Sequence, residues 1–283
     1  MRFDYSWKAL LSPGKSDDFF GISSTIPRSP AFGAHNPQYT PVDAWWLSEM
    51  CRLIYRNGCN GADSWSGMVS RSNFLKRFGF REHFFFKGSS PCVIISPEGA
   101  EPPPFAVLVF RGTQSLENWF SNLTSIQVPW TQGGMVHLGF KREIFKIWPQ
   151  VSKVLASLTC PIYYAGHSLG GALAVLAASL RPPAAVYTFG APRVGDRAFA
   201  KAMSSIPVYR IVNHRDIVPT VPPSDIPFNF CHVGELKHLG WLPLTGKDVF
   251  SDPKRRLIDP PEILSDHAPV NYSARLLNEI NKL

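Results

Sequence analysis

Apolar residues fall into two kinds of pattern along this chain. Five short apolar runs, Cys92 to Ser96, Phe105 to Phe110, Ile162 to Ala165, Ala184 to Phe189 and Val208 to Val212, are too short for helices and lie near Gly- and Pro-rich turns, so they predict buried strands. Other segments carry the period of a helix. From Pro41 to about Arg56, residues Ala44, Trp45, Leu47, Met50, Leu53 and Ile54 fall on or near one face; Pro41 suits a first turn and Asn57-Gly58 marks the end. Between His137 and Leu158, Phe140, Ile144, Ile147, Val151, Val154, Leu155 and Leu158 form one stripe, which Pro149 is expected to kink. Leu169 to Leu180, Asp196 to Met203 and Pro269 to Lys282 complete the predicted helices. Strands alternating with helices from Phe105 to Val212 predict an α/β fold, a mostly parallel central sheet covered by helices on both faces. Pro97 to Pro104 reads as a connecting loop, and the Pro-, Gly- and Ser-rich segment before Thr40 as a surface wrap. Pro219 to Asp266, rich in proline, reads as loops with short irregular elements.

Composition narrows this little. The chain has 283 residues, 45% hydrophobic and 18% charged, and shows no compositional break, so a single domain over 1–283 is expected. No run reaches the roughly 18 apolar residues a membrane span needs. Met1 to Phe20 lacks a basic start and an apolar stretch, which points to the cytoplasm or to secretion by a route without a recognisable signal peptide. Cys51, Cys59, Cys92, Cys160 and Cys231 are odd in number and irregularly spaced, as reduced thiols are. The net charge of +8 is scattered, with Lys254-Arg255-Arg256 as its one tight cluster, read as a solvated loop; no nucleic-acid partner is expected.

The chemistry is carried by Gly166-His167-Ser168-Leu169-Gly170, a match to the Gly-x-Ser-x-Gly nucleophile elbow, with a strand candidate before it and a helix candidate after it. The glycines allow a tight turn that leaves the serine hydroxyl exposed, and the helix that follows would aim its free N–H groups at a forming oxyanion. A serine nucleophile needs a base, and the base an orienting carboxylate. Asp216 lies just past the carboxyl end of a predicted strand, where open α/β sheets place their sites. For the base, His232, His238 and His267 stand open; position before the last helix favours His267, while His232 and His238 read as exposed loop residues. His167 and His137 read as structural. No metal-ligand spacing appears, and neither metal nor cofactor is implied.

Four stretches carry a resemblance: Val109 to Thr113, Gly166 to Gly171, Thr188 to Asp196 and Tyr209 to Pro219. With them the chain resembles the class 3 lipase family, the filamentous-fungal-lipase type of α/β-hydrolase. The resemblance implies Asp216 as triad acid and His267 as base, and places the oxyanion donors on Thr113, through N–H and hydroxyl, and on the N–H of Leu169. It also implies a helical lid over Ser115 to Ile126, where Leu116, Trp119, Phe120 and Leu123 share one apolar stripe. The activity implied is that of a triacylglycerol lipase acting through an acyl-enzyme on a lipid or small ester substrate, with transient contact with a lipid interface. A carboxylesterase, a phospholipase or a non-catalytic binding protein keeping the fold are the rival readings. Many relatives are secreted and disulfide-bonded, and here this chain departs from them.

Overall fold

The computed structural model describes residues 3–16, 18–21, 30, 32, 38–56, 69–86, 89–113, 125–240 and 259–282. Its centre is a sheet of seven strands: β1 (Phe80–Phe86), β2 (Cys92–Pro97), β3 (Ala106–Phe110), β6 (Ile162–His167), β7 (Ala185–Phe189), β8 (Val208–Asn213) and β9 (Glu235–Leu239), neighbours in that order. From β3 to β9 every pairing is parallel, whereas β1 and β2 pair antiparallel at one edge. Two short strands, β4 (Gln127–Pro129) and β5 (Met135–His137), form a separate antiparallel pair. The five predicted strands are present within a residue or so of their expected limits. β1, β4, β5 and β9 were not expected.

Alternation along each strand divides the interior into two cores. Val93, Ile95, Val107, Val109, Tyr163 and Ala165 point to one side, where helices α2 (Pro41–Leu53) and α8 (Pro269–Ile280) pack against each other and the sheet. Ile94, Leu108, Phe110, Tyr164 and Val186 point to the other, beneath α4 (Leu138–Ala156) and α5 (Leu169–Leu180). Helices cover both faces, as the alternation of elements predicts. Each large side chain sealed in these cores contributes about 1.5–3 kcal/mol relative to exposure. Buried from Gly170 to Ala178, α5 is apolar all round because it is clasped between the sheet and α4.

Local chemistry sets several boundaries. Thr40 caps α2, its hydroxyl accepting from the Asp43 N–H at 3.0 Å, with Pro41 in the first turn. The His137 ring caps α4, and Pro149 lies inside that helix without ending it. Asp196 caps α6 (Arg197–Ala202).

Two expectations are corrected, and one helix was not anticipated. The segment before Thr40 is not only a surface wrap: Phe19 and Phe20 are buried in the α2–α8 core, and Ala9 and Leu10 of α1 (Trp7–Leu11) pack against Ala268 and Val270. Its polar composition hides a few anchoring side chains. The stretch 219–266 holds β9, whose Glu235-Leu236-Lys237-His238 face is only partly covered and so lacks the apolar run of a central strand, and α7 (Glu262–Ser265). A further helix, α3 (Arg71–Arg77), buries Arg71 against Glu82 of β1 at 2.7 Å, an ion pair that apolar periodicity cannot reveal. No helix among the described residues is long and apolar enough to cross a membrane. Cys51, Cys92, Cys160 and Cys231 are free thiols. Asn57-Gly58, Cys59, the Lys254–Arg256 cluster and the predicted lid residues Leu116, Trp119, Phe120 and Leu123 lie outside the described residues.

Candidate active site

β6 runs straight into α5 through a single residue, Ser168, at φ 58° and ψ −130°. This backbone conformation is strained for a residue with a Cβ, and such strain persists only where the surroundings over-determine it. Here they do. The Ser168 N–H donates to the Phe189 carbonyl at 2.9 Å, and a Cβ on Gly170 would lie 2.1 Å from the Phe110 carbonyl oxygen, so α5 starts in contact with β3. Leu169 is the first residue of α5, and its N–H has no partner within the helix.

The serine is not exposed as the motif predicts; Ser168 has no accessible surface. The Arg111–Thr113 segment after β3 covers it, with the backbone at Gly112 close enough that an added Cβ would sit 3.1 Å from Ser168 Cβ. Thr113 lies half-buried in that segment, on the elbow's side of the sheet end.

Asp216 and His267 are brought together from opposite ends of a 51-residue separation. The His267 Nδ1–H donates to Asp216 Oδ2 at 2.7 Å, and both side chains are sealed from solvent. The same carboxylate oxygen accepts from the Tyr272 hydroxyl at 2.5 Å, and Oδ1 accepts from the Val218 N–H at 2.9 Å. Burial, reinforced by the Asp216 charge, holds the Tyr272 phenol well above its usual range, so it remains a donor. His267 Nε2 and Ser168 Oγ are both buried and neither makes a hydrogen bond. An imidazole oriented on one side by a carboxylate, with its other nitrogen uncommitted and its ring centre 4.5 Å from that of His167, the residue before the serine, is suited to take up and return a proton.

The segment carrying His267 is clamped to the end of β8. Asn213 Nδ2 donates to the Asp266 carbonyl at 2.8 Å, and Asp266 Oδ2 accepts from His214 Nδ1 at 3.0 Å and from the Arg215 N–H at 3.1 Å. His214, Glu262 and Asp266 bring three possible ligand atoms within 4.8 Å of one another; hydrogen bonding within the clamp accounts for them, with Glu262 Oε1 3.3 Å from His214 Nδ1.

Among the described residues His232, His238, His137 and His167 hold structural positions, and the first two differ from expectation. His232 is largely enclosed, donating from Nε2 to the Pro219 carbonyl at 2.8 Å, and burial pushes it down to about 3. His238 belongs to β9 and donates to the His214 carbonyl at 3.0 Å. Neither is an exposed loop residue, because the chain after Pro219 returns to the sheet as β9. His137 is the α4 cap. His167 is fully enclosed between Tyr55 and His267, and burial together with His267 holds it well below its usual range. Tyr272, Asp266 and Tyr55 were missed by sequence reasoning. Their positions fall inside or beside apolar helices, where an aromatic or polar residue reads as core or surface.

Comparison with known proteins places this geometry. The family model described as lipase (class 3) matches residues 107–226. A lipase of Rhizomucor miehei is 40% identical over 146 residues, which cover 45% of this chain and 40% of that protein. The chain therefore spans two-fifths of the length of that curated relative. A solved triacylglyceride lipase of Rhizomucor miehei is 31% identical and superposes with a TM-score of 0.50 over 57% of this chain and 67% of that one. A triacylglycerol lipase whose catalytic centre is a serine-protease triad superposes at 0.53 with 27% identity, covering 70% and 77%. The sheet order, the elbow at the end of β6 and these matches identify an α/β-hydrolase fold, and the chain belongs to the class 3 lipase family.

Proposed function

We propose that the protein hydrolyses carboxylic esters of lipids, triacylglycerols foremost, through Ser168, His267 and Asp216. The observation that carries this reading is the sealed His267–Asp216 pair at 2.7 Å, with Nε2 uncommitted and the His267 ring 4.5 Å from that of His167, the residue before the elbow serine. Ser168 Oγ attacks the ester carbonyl as His267 Nε2 takes its proton; the tetrahedral oxyanion forms against the N–H of Leu169 and the N–H and hydroxyl of Thr113. His267 then gives the proton to the departing alkoxide, leaving an acyl-enzyme and a free alcohol. Water, deprotonated by the same nitrogen, releases the fatty acid. Asp216 holds the imidazole in the tautomer with its proton on Nδ1. None of these steps calls on a metal or cofactor. The names of the relatives, lipase and triacylglycerol lipase, support a long-chain ester as substrate.

Because Ser168 and His267 have no accessible surface, substrate reaches them only after part of the covering shell moves. Movement at a lipid interface fits that requirement. The test is hydrolysis of emulsified long-chain triglyceride beside a series of soluble p-nitrophenyl esters, with a fluorophosphonate to capture the nucleophile. We expect turnover of both, a rate that jumps above the solubility limit, and label on Ser168 that disappears in Ser168→Ala. A folded protein that takes up no phosphonate and turns over none of these esters refutes the proposal; turnover of soluble esters alone refutes the lipid substrate.

A further inference from the structure

We infer that Tyr55 is a positioning residue, coupling the segment that carries Thr113 to the segment that carries His267 through a neutral His167. This rests on the ester-hydrolase reading above. Tyr55 lies just beyond α2, far in sequence from every residue assigned to the reaction, and is buried. Its oxygen accepts from the Gly112 N–H, the residue before Thr113, and lies 3.0 Å from His167 Nδ1. On the other side of that ring, His167 Nε2 lies 2.8 Å from the His267 carbonyl oxygen.

The direction of every bond follows. A carbonyl only accepts, so His167 Nε2 carries a proton. Full burial beside His267, whose ring centre is 4.5 Å away, keeps the His167 ring neutral, so Nδ1 is bare and the Tyr55 O–H donates to it. The result is one directed chain, Gly112 N–H to Tyr55 O–H to His167 to the His267 carbonyl. It passes through the two residues that border Ser168, Gly112, where an added Cβ would lie 3.1 Å from Ser168 Cβ, and His167, its neighbour in sequence. Each link is satisfied only if the next is oriented correctly, so the spacing between oxyanion donor and base is set by a phenol outside the triad. Protonating His167 would turn Nδ1 into a donor and leave the Tyr55 proton without its acceptor. Tyr55 thus also opposes a positive charge next to His267 at the moment His267 becomes an imidazolium.

A buried tyrosine that only fills space would not show this dependence. In Tyr55→Phe the ring stays and the hydroxyl goes, leaving Gly112 N–H and His167 Nδ1 unpaired. We expect kcat per phosphonate-titrated site on a soluble short-chain ester to fall roughly ten- to a hundredfold, with KM within about twofold. His167→Leu should cost at least as much, and Tyr55→Phe added to His167→Leu should cost nothing further, because both break one chain. A Tyr55→Phe enzyme with kcat within twofold of the parent, or effects that multiply in the double variant, overturns the inference. Nitrogen-15 shifts of the His167 ring give a readout independent of turnover. They should report a neutral ring protonated at Nε2, with the Nδ1 signal moving toward that of a nitrogen that accepts no hydrogen bond in Tyr55→Phe. An Nδ1 signal unchanged by the substitution overturns the coupling even if the protein hydrolyses no ester, whereas absence of hydrolysis with the expected shift overturns only the ester reading. Should Tyr55→Phe fail to fold, the same ring shifts in the parent decide: protonation at Nδ1, or a cationic ring, is incompatible with the chain of bonds.

Discussion

The backbone around Ser168 is shaped by residues close to it in sequence, whereas His267 is held by partners 51 and 100 positions away, Asp216 and His167. On the first side the device is steric: glycines let α5 press against β3 and force the serine into a positive φ. On the second it is a web of hydrogen bonds, in which Asp216 accepts three and Asp266 pins the loop to β8. A strand-to-helix turn can be written into five residues. A charge relay cannot, because its donors and acceptors must come from separate elements to surround a carboxylate. The proposed nucleophile is therefore built into the fold, and the proposed base is assembled onto it.

The largest effect should come from breaking the web at its centre. Asp216→Asn keeps the shape but offers an amide where His267 Nδ1–H, Tyr272 O–H and Val218 N–H all donate, so the imidazole loses its orienting acceptor; kcat on a soluble ester should fall about ten-thousandfold with the fold retained. Retention of more than a tenth of the activity would mean that His267 is oriented by something other than Asp216.

Next, a single methyl group placed on either side should separate the two devices. At Gly170 a Cβ would meet the Phe110 backbone, 2.1 Å from its oxygen, and a core strand cannot yield. Gly170→Ala should therefore destabilise the protein by about 3 kcal/mol or more, read in urea unfolding. At Gly190, where φ is +59°, a Cβ would meet Asp216 Oδ2 at 2.5 Å, the Tyr272 hydroxyl at 2.8 Å and His267 Nδ1 at 2.9 Å, all of them side-chain atoms. Gly190→Ala should push the pair apart and lower kcat roughly a hundredfold, with a smaller loss of stability than Gly170→Ala. The reverse pattern would undo the comparison.

Tyr272→Phe removes one of three donors from Asp216 and leaves the others. A tenfold fall in kcat corresponds to about 1.4 kcal/mol of lost orientation, and we expect an effect of that order with KM unchanged. No change would assign Tyr272 to packing alone. The smallest change in stability should come from Ser168→Gly. Relief of about 1–3 kcal/mol of backbone strain, less the roughly 0.5–1 kcal/mol that glycine costs, predicts an inactive protein about 1 kcal/mol more stable than its parent. A loss of stability would show that φ at this turn stores no strain.

The same division explains what the sequence disclosed. β6, Ser168 and α5 were legible because the local pattern is itself the cause of the structure. So were the five central strands, buried on both faces and hence written as apolar runs. Asp216 could be placed at the end of a strand, but the choice among His232, His238 and His267 rested on position and resemblance, since nothing near His232 records that it bonds to Pro219. β1 escaped because its exposed His83 and its partly covered Arg81 and Glu82 interrupt any period, and β9 because an edge strand can afford charge. Tyr55 left no local mark at all; its meaning lies in Gly112 and His167, more than fifty residues downstream.

The docking of α8 on α2 has a bearing on biosynthesis. As the chain is made, the residues of β1 to β8, the elbow and Asp216 all leave the ribosome before His267, Asn271 and Tyr272. Asn271 then ties the closing segment to Ser265 and to Asp4 at the opposite end of the sequence. A nascent chain thus carries Ser168 and Asp216 before His267, and the proposed base joins them together with α8, which docks on α2. Under the proposed function the order of synthesis keeps an unfinished hydrolase silent toward the lipids around it.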